Sequence, residues 1–255
     1  MNYNYSEICS KIEKEGFCLV DKFWDDKKDA EIDKFYENSL KPLISKTSID
    51  KFGNRNFSVA DDEIKNNPFK SIKNSEHFQN LITNILKINN IKTFKKLDIH
   101  NIIAFQKNEL NNNAKISSNL HFDAFYLTII IPIKKTKNSL PGRGGSLILY
   151  PNIRGLSSNS VFNYTIKLLT QNFIFIKIIR NQFLKKYLNY KVVSSEEKKL
   201  LIFYGYKSLH GNEAILDKNY KVHSIFHVYN PHKDSIIDKW IFNRNANIRK
   251  NKLIN

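Results

Sequence analysis

Cysteine is nearly missing: the 255 residues hold two, Cys9 and Cys18, both close to the N-terminus. So placed, they make neither a disulfide framework nor a metal-type spacing, and free thiols suit a reducing compartment. Long hydrophobic runs are missing too. The purest, residues 127–133, is far shorter than the ~20 apolar residues of a membrane-spanning helix. Met1-Asn2-Tyr3-Asn4-Tyr5 shows no basic segment leading into an apolar stretch, so no signal peptide is expected. These absences point to a soluble, cytoplasmic protein. Arginine is scarce, with six among 41 basic residues. The net charge of +17 invites a nucleic-acid or membrane-surface reading, but lysine is scattered along nearly the whole chain beside abundant Asn and Ile. That is a composition bias and a solvated lysine surface, and no nucleic-acid partner is expected. With no internal repeat and no linker, residues 1–255 read as one domain. The oligomeric state has no signature in the sequence.

Hydrophobic residues make up 41% and aromatics 13%, enough for a sizeable core. Residues 6–15 read as a helix with Ser6 as N-cap and Gly16 past its end. Residues 17–23 read as a strand. Asp25 or Asp26 caps a second helix through Tyr36 toward Leu40, which Pro42 should end. Residues 45–70 dissolve into Gly, Asn, Asp and Ser and read as a loop. Ser75 opens a helix with Phe78, Leu81, Ile82 and Ile85 at helical spacing. Strands follow over 93–106, around His121, and over 126–133 and 144–150, with loops at 109–118 and 134–143. Residues 161–190 return to helical spacing, as one or two inserted helices. Strands resume over 199–204 and 221–229, and the tail from 234 reads as a helix. Helices first, strands later and a helical insertion argue for an α+β fold. The strand count suits a double-layer antiparallel jelly roll.

Leu120-His121-Phe122-Asp123 carries the first chemical signal. Side chains alternate along a strand, so His121 and Asp123 share one face while Leu120 and Phe122 take the other. A His-x-Asp pair alone reads equally well as two polar residues on a wet face. The apolar flanks raise it, because they demand a buried reverse side. His210 ends a second apolar run and precedes Gly211-Asn212, where a buried strand turns. Two imidazoles and one carboxylate with open positions form the facial triad that suits non-haem Fe(II). Lys221, eleven positions after His210 at the head of another strand, offers the cation a dicarboxylate co-substrate needs.

In this order, His121-Phe122-Asp123, Gly144-Gly145-Ser146-Leu147 with Pro151, the apolar strand ending in His210-Gly211, and Lys221 resemble the Fe(II)/2-oxoglutarate-dependent dioxygenase superfamily. The phytanoyl-CoA-dioxygenase-like branch is the most similar. Glu15-Gly16-Phe17 through Phe23 is similar to the family's opening strand, and the resemblance runs from about residue 12 to 230. It implies a double-stranded β-helix (jelly roll, cupin-like) core with N-terminal helices. It implies that His121, Asp123 and His210 hold Fe(II), that 2-oxoglutarate chelates the metal while Lys221 pairs with its far carboxylate, and that O2 takes the remaining position. The implied reaction is hydroxylation of an unactivated C–H, coupled to decarboxylation of 2-oxoglutarate to succinate. The chain departs from the branch in carrying Lys221 where Arg is usual, as similar prolyl hydroxylases do. Lysine binds a carboxylate as a point charge and not as a fork. His223 stands where Ser or Thr is common, and the insertion over 161–190 has no counterpart. Asp123 disfavours the halide-binding variant.

His223, on the strand face of Lys221, and Asn212, two past His210, are further candidates for cofactor binding. Gln106, Arg143 and Arg154 are weak candidates for substrate binding, the arginines flanking a strand near the mouth. His77, His100, His227 and His232 read as ordinary residues on helix faces, strand faces or loops. The amphipathic stretch from Phe162, with Lys167, Lys177, Arg180, Lys185 and Lys186, could lie on a membrane, but packing over the barrel is the plainer account. The expected substrate is a small molecule: a metabolite, lipid or sugar derivative. A hydroxylase of a protein side chain and a non-catalytic metal-binding jelly-roll module are the alternatives.

Overall fold

The computed structural model describes residues 3–49, 54–60, 62–91, 97–108, 120–136, 144–157, 159–170, 172–179, 181–194, 197–216, 218–237, 239–240 and 243–244. Helix α1 (Tyr5–Glu15) is capped by Asn4, one residue before the helix, whose side chain accepts from the Glu7 N–H; Ser6 lies within the helix. Gly16 closes it at φ 91°, donating its N–H to Ile12 O, a left-handed turn that glycine adopts without strain. After β1 (Cys18–Val20), Asp25 caps α2 (Asp26–Phe35) by accepting from the Lys28 N–H. Pro42 does not end the helical run. A π-helical turn over Tyr36–Leu40, with the Lys41 N–H on Tyr36 O, leads directly into α3 (Lys41–Lys46). Pro42 thereby falls in the first turn of a new helix, where its missing N–H costs nothing.

The loop expected over 45–70 contains a strand, β2 (Asn54–Ala60), and the start of α4 (Pro68–Asn74). Phe57 and Val59 bury themselves from β2; its polar neighbours hide the alternation. Helix α5 (Glu76–Ile88) begins at Ser75 as read, and buries Phe78, Leu81, Ile82, Ile85 and Leu86. Strands β3 (Ile99–Asn108), β4 (Leu127–Lys135) and β5 (Leu147–Tyr150) follow. The insertion is three helices, α6 (Ser160–Thr170), α7 (Phe173–Ile179) and α8 (Gln182–Tyr187). Then come β6 (Lys191–Val193), β7 (Leu200–Phe203), β8 (Leu209–Asn212) and β9 (Tyr220–Val228). The expected loop at 109–118 and most of the tail expected to be helical from 234 lie outside the described residues. Cys9 and Cys18 are buried and unpaired.

Two antiparallel sheets make the core. The larger runs β1-β7-β4-β9-β3-β2 and the smaller β6-β5-β8. Strand alternation gives each sheet two faces. One face of the larger sheet, with Ile103, Ile129, Ile202 and Phe226, packs under the N-terminal helices through Ile12, Phe69, Phe78 and Leu81. Its other face meets the smaller sheet, Ile130, Leu201 and Phe203 against Leu147, Leu149 and Val193. The outer face of the smaller sheet is covered by the insertion: Leu120, Phe122, Tyr150 and Leu209 pack with Ile166, Phe175 and Ile179. This is the double-stranded β-helix expected, and the space between its sheets is where the polar residues gather.

Candidate metal centre

His121 and His210 face each other as one antiparallel bridge. The His121 N–H donates to His210 O at 2.8 Å and the His210 N–H to His121 O at 2.9 Å. Residues paired this way carry their side chains on the same side, and the two rings lie 4.5 Å apart. Leu120 and Phe122 turn the opposite way into the cluster beneath the insertion, the buried reverse side that the alternation demanded. The Asp123 N–H is held by Gly205 O at 3.0 Å. Asp123 Oδ1 lies 3.6 Å from His121 Nε2 and Oδ2 lies 3.4 Å from His210 Nε2. One ligand atom from each of the three residues falls within 4.8 Å of the others. His121 is partly open to solvent while Asp123 and His210 are buried.

Several contacts prepare this set for a cation. His210 Nδ1 is 3.0 Å from Ser208 O; a carbonyl can only accept, so Nδ1 carries a proton, and Nε2, which faces Asp123, is the nitrogen left to bind a metal in place of its own proton. Burial pushes the Asp123 carboxyl up, but the His210 and His227 charges and hydrogen bonds from His121 and His210 outweigh it. The group is held well below the usual carboxylate range. The Thr128 hydroxyl donates to Asp123 Oδ2 at 2.5 Å. Gly205 leaves room for this: a Cβ there would overlap Thr128 Oγ1 and Asp123 Oδ2 and stand 3.1 Å from Asp123 Cβ. Two imidazole nitrogens and an ionised oxygen, with His210 and Asp123 oriented from behind, fit a ferrous ion.

Strand β9 carries the rest. Its odd residues Lys221, His223, Ile225 and His227 share one face, opposite Gln106, Ala104, Ile102 and His100 of β3. On the other side the same face aligns with Ile130 and Thr128 of β4, which makes it the inner one. Lys221 is buried and its Nζ donates to Gly145 O at 2.7 Å. Burial pulls its pKa down to about 7, opposed by the Glu213 charge. Burial, and then the Lys221 charge, pull His223 to about 3, leaving a neutral imidazole. Asn212 pairs with Leu147 as His210 pairs with Leu149, so it shares the face of His210. Gln106, in register with Lys221, has its buried Oε1 without a partner, as does Glu213 Oε2.

Arg154 makes its described contacts within the chain. Its guanidinium lies between the rings of Phe122 and Tyr206, 4.0 Å from each centroid, and donates to Tyr206 O and to Asn163 Oδ1 of α6. It ties the motif segment to the insertion, with only Nη2 lacking a partner. Arg143 falls outside the described residues. His227 was passed over in the sequence yet stands at the centre. Its Nδ1 is 3.7 Å from Asp123 Oδ2 with no hydrogen-bond partner, and its ring stacks on Phe125. The parity that joined His223 to Lys221, carried four residues further, would have found it. His77 packs on Phe23, His232 on Tyr206, and His100 pairs with Asp98 at 2.9 Å.

No family model matches the sequence, and no characterised protein matches it by sequence. Solved structures do match by shape. AviO1 from Streptomyces viridochromogenes Tue57 superposes with a TM-score of 0.57 at 9% identity, covering 91% of this chain and 97% of that one. The epimerase SnoN, in complex with Fe3+, α-ketoglutarate and nogalamycin RO, gives 0.55 at 12% identity over 89% and 83%. A prolyl hydroxylase from Trichoplax adhaerens, in complex with a hypoxia inducible factor peptide fragment, gives 0.53 at 11% identity over 89% of each chain. At these identities the likeness is one of fold. It does not single out the phytanoyl-CoA-like branch.

Proposed function

We propose that this protein is an Fe(II)- and 2-oxoglutarate-dependent oxygenase, residues 1–255 acting as one domain, that hydroxylates an unactivated C–H of a small molecule. The observation that carries this reading is the meeting of His121, Asp123 and His210 within 4.8 Å, in a fold shared with a protein solved holding iron and α-ketoglutarate. The three side chains would hold the metal, and bound iron would supply the activation of O2 that a protein side chain cannot. The protein's own part is orientation and exclusion of water. Ser208 O fixes the tautomer of His210, Thr128 holds the Asp123 carboxylate and Gly205 O its backbone N–H, and Ile130, Phe203, Leu147 and Leu149 line the space between the sheets with apolar groups. Lys221 would anchor the far carboxylate of 2-oxoglutarate, with Gln106, His223 and Asn212 along the same wall. A small-molecule substrate is supported by the fold shared with SnoN, solved with nogalamycin RO. A protein side chain is the second reading, favoured by Lys221 and by the fold shared with the peptide-bound prolyl hydroxylase.

Under O2, the protein with Fe(II) and 2-oxoglutarate should release succinate, and the anaerobic mixture should develop a weak visible charge-transfer band. Asp123→Ala and His121→Ala should lose both signals. If both variants keep metal and oxoglutarate binding, the ligand assignment is wrong.

The depressed Lys221 makes oxoglutarate binding pH-dependent. Free lysine titrates at 10.5 and buried Lys221 at about 7, so between those values the unfolded chain holds a proton that the native apo protein lacks. Apo stability therefore rises with pH across that window, and below about 7 the cost of the buried charge is fully present. A bound carboxylate restores the charge. Below pH 7 the oxoglutarate Kd should be flat; above it Kd should rise by up to roughly tenfold per pH unit, with one proton taken up on binding. Calorimetry in buffers of different ionisation enthalpy reads both.

A further inference from the structure

The insertion is built inside out. In α6 the exposed positions are Val161, Phe162, Thr165, Leu168 and Leu169, one continuous helical stripe, while Asn163 and Thr170 are buried. Helix α7 repeats this, with Ile174 65% exposed and Ile178 54%, Lys177 exposed between them, and Ile179 turned inward. In α8, Phe183 and Tyr187 are 77% and 78% exposed beside an exposed Lys186. Ile166, Phe175, Ile179 and Leu188 all meet one cluster on the outer face of the smaller sheet. The outward stripes of the three helices therefore point away from that sheet, and eight large apolar side chains stand in solvent where a surface helix normally carries polar ones.

Charge decides what such a surface meets. Residues 124–195 contain no Asp or Glu, although the chain has 24. Lysine is scattered everywhere, but acid is excluded from this one segment, which a general lysine bias does not produce. A second copy on the same face would set lysines against lysines in a self-complementary contact. A layer of anionic headgroups over acyl chains matches both features: apolar side chains enter the hydrocarbon boundary while lysine ammoniums stay at phosphate level. No described helix is long and apolar enough to cross a membrane, so the contact would be made in the plane of the interface.

We propose that the helical insertion docks this protein on an anionic phospholipid bilayer through the outward faces of α6, α7 and α8. The inference stands apart from the oxygenase reading and survives its failure. The test is co-sedimentation of the full chain with vesicles of phosphatidylcholine alone and of phosphatidylcholine mixed with phosphatidylserine, at low salt. The mixed vesicles should carry the protein down, neutral ones much less, and added salt should release it. Ile174→Asn with Phe183→Ser, and separately Lys177→Glu with Lys186→Glu, should each weaken binding roughly tenfold or more. Unchanged melting temperature and far-ultraviolet circular dichroism show that these variants remain folded. Failure to bind mixed vesicles, equal binding to neutral ones, or indifference to both pairs of substitutions overturns the proposal. So does a dimer, seen by sedimentation equilibrium, that Phe183→Ser dissociates, since the face would then belong to a second copy.

Discussion

Gly205→Ala is expected to abolish succinate release about as completely as Asp123→Ala, although residue 205 offers no ligand atom. The added Cβ would overlap Thr128 Oγ1 and Asp123 Oδ2 together, so the backbone or the carboxylate must move. The backbone has little freedom, because Gly205 O accepts the Asp123 N–H and the Tyr204 and Tyr206 side chains on either side are fully buried. The carboxylate is therefore what gives way, turning from His210 and from Thr128. Loss of an orienting contact behind a metal ligand typically weakens metal binding by roughly 10- to 100-fold, and displacing the ligand itself should reach the upper end or beyond. Overpacking of a tight site costs about 1–3 kcal/mol of stability, so the variant should fold with a lowered melting temperature. Metal titration of the folded variant reads the outcome. Wild-type affinity at position 205 alanine would mean that Asp123 binds nothing in the orientation described.

The same glycine marks where sequence reading stops. His121 and Asp123 were legible because a period of two needs only neighbours, and Leu120 and Phe122 gave the sense of the buried face. His210 was legible as the end of an apolar run, although it lies in its own short strand, β8, and not at a strand's turn. The importance of Gly205 depends on Thr128 and Asp123 arriving from other parts of the chain, and no local pattern encodes that meeting. His227 was encoded in the same way as His223: the parity that sets His223 on the face of Lys221 extends to it, and β9 arranges Lys221, His223 and His227 as one row. Among the elements, β2 escaped because Asn54, Arg55, Asn56 and Ser58 outweigh Phe57 and Val59, and such a polar strand suits a sheet edge. Pro42 misled because its rule describes a regular α-helix, whereas the preceding turn is wound in the π form. Arg154 reads from the sequence as a weak substrate-binding candidate; its enclosure was hidden because the rings of Phe122 and Tyr206 that flank it are 32 and 52 positions away in the chain.

Lys221→Met should separate the co-substrate from the metal. Methionine keeps much of the stem's length and apolar packing and removes the charge. If Lys221 anchors the far carboxylate, the variant loses a buried, charge-assisted contact, and such losses weaken binding by about 2 kcal/mol or more, roughly 30-fold or more in Kd. Metal affinity should be unchanged, because no contact joins Lys221 to His121, Asp123 or His210 among those described. Apo stability should move the other way. Burial is the main influence on Lys221 and disfavours its charged form, so below pH 7 the apo variant should melt at or above the wild-type temperature despite losing the bond to Gly145 O. The rise of Kd above pH 7 should vanish with the group that causes it. Lys221→Arg restores charge but must fit a planar fork where Gly145 lies close to the lysine stem, so only partial recovery is expected. A methionine variant that binds 2-oxoglutarate as tightly as wild type, with the same pH profile, would move the anchor elsewhere on the inner face while leaving the metal centre standing.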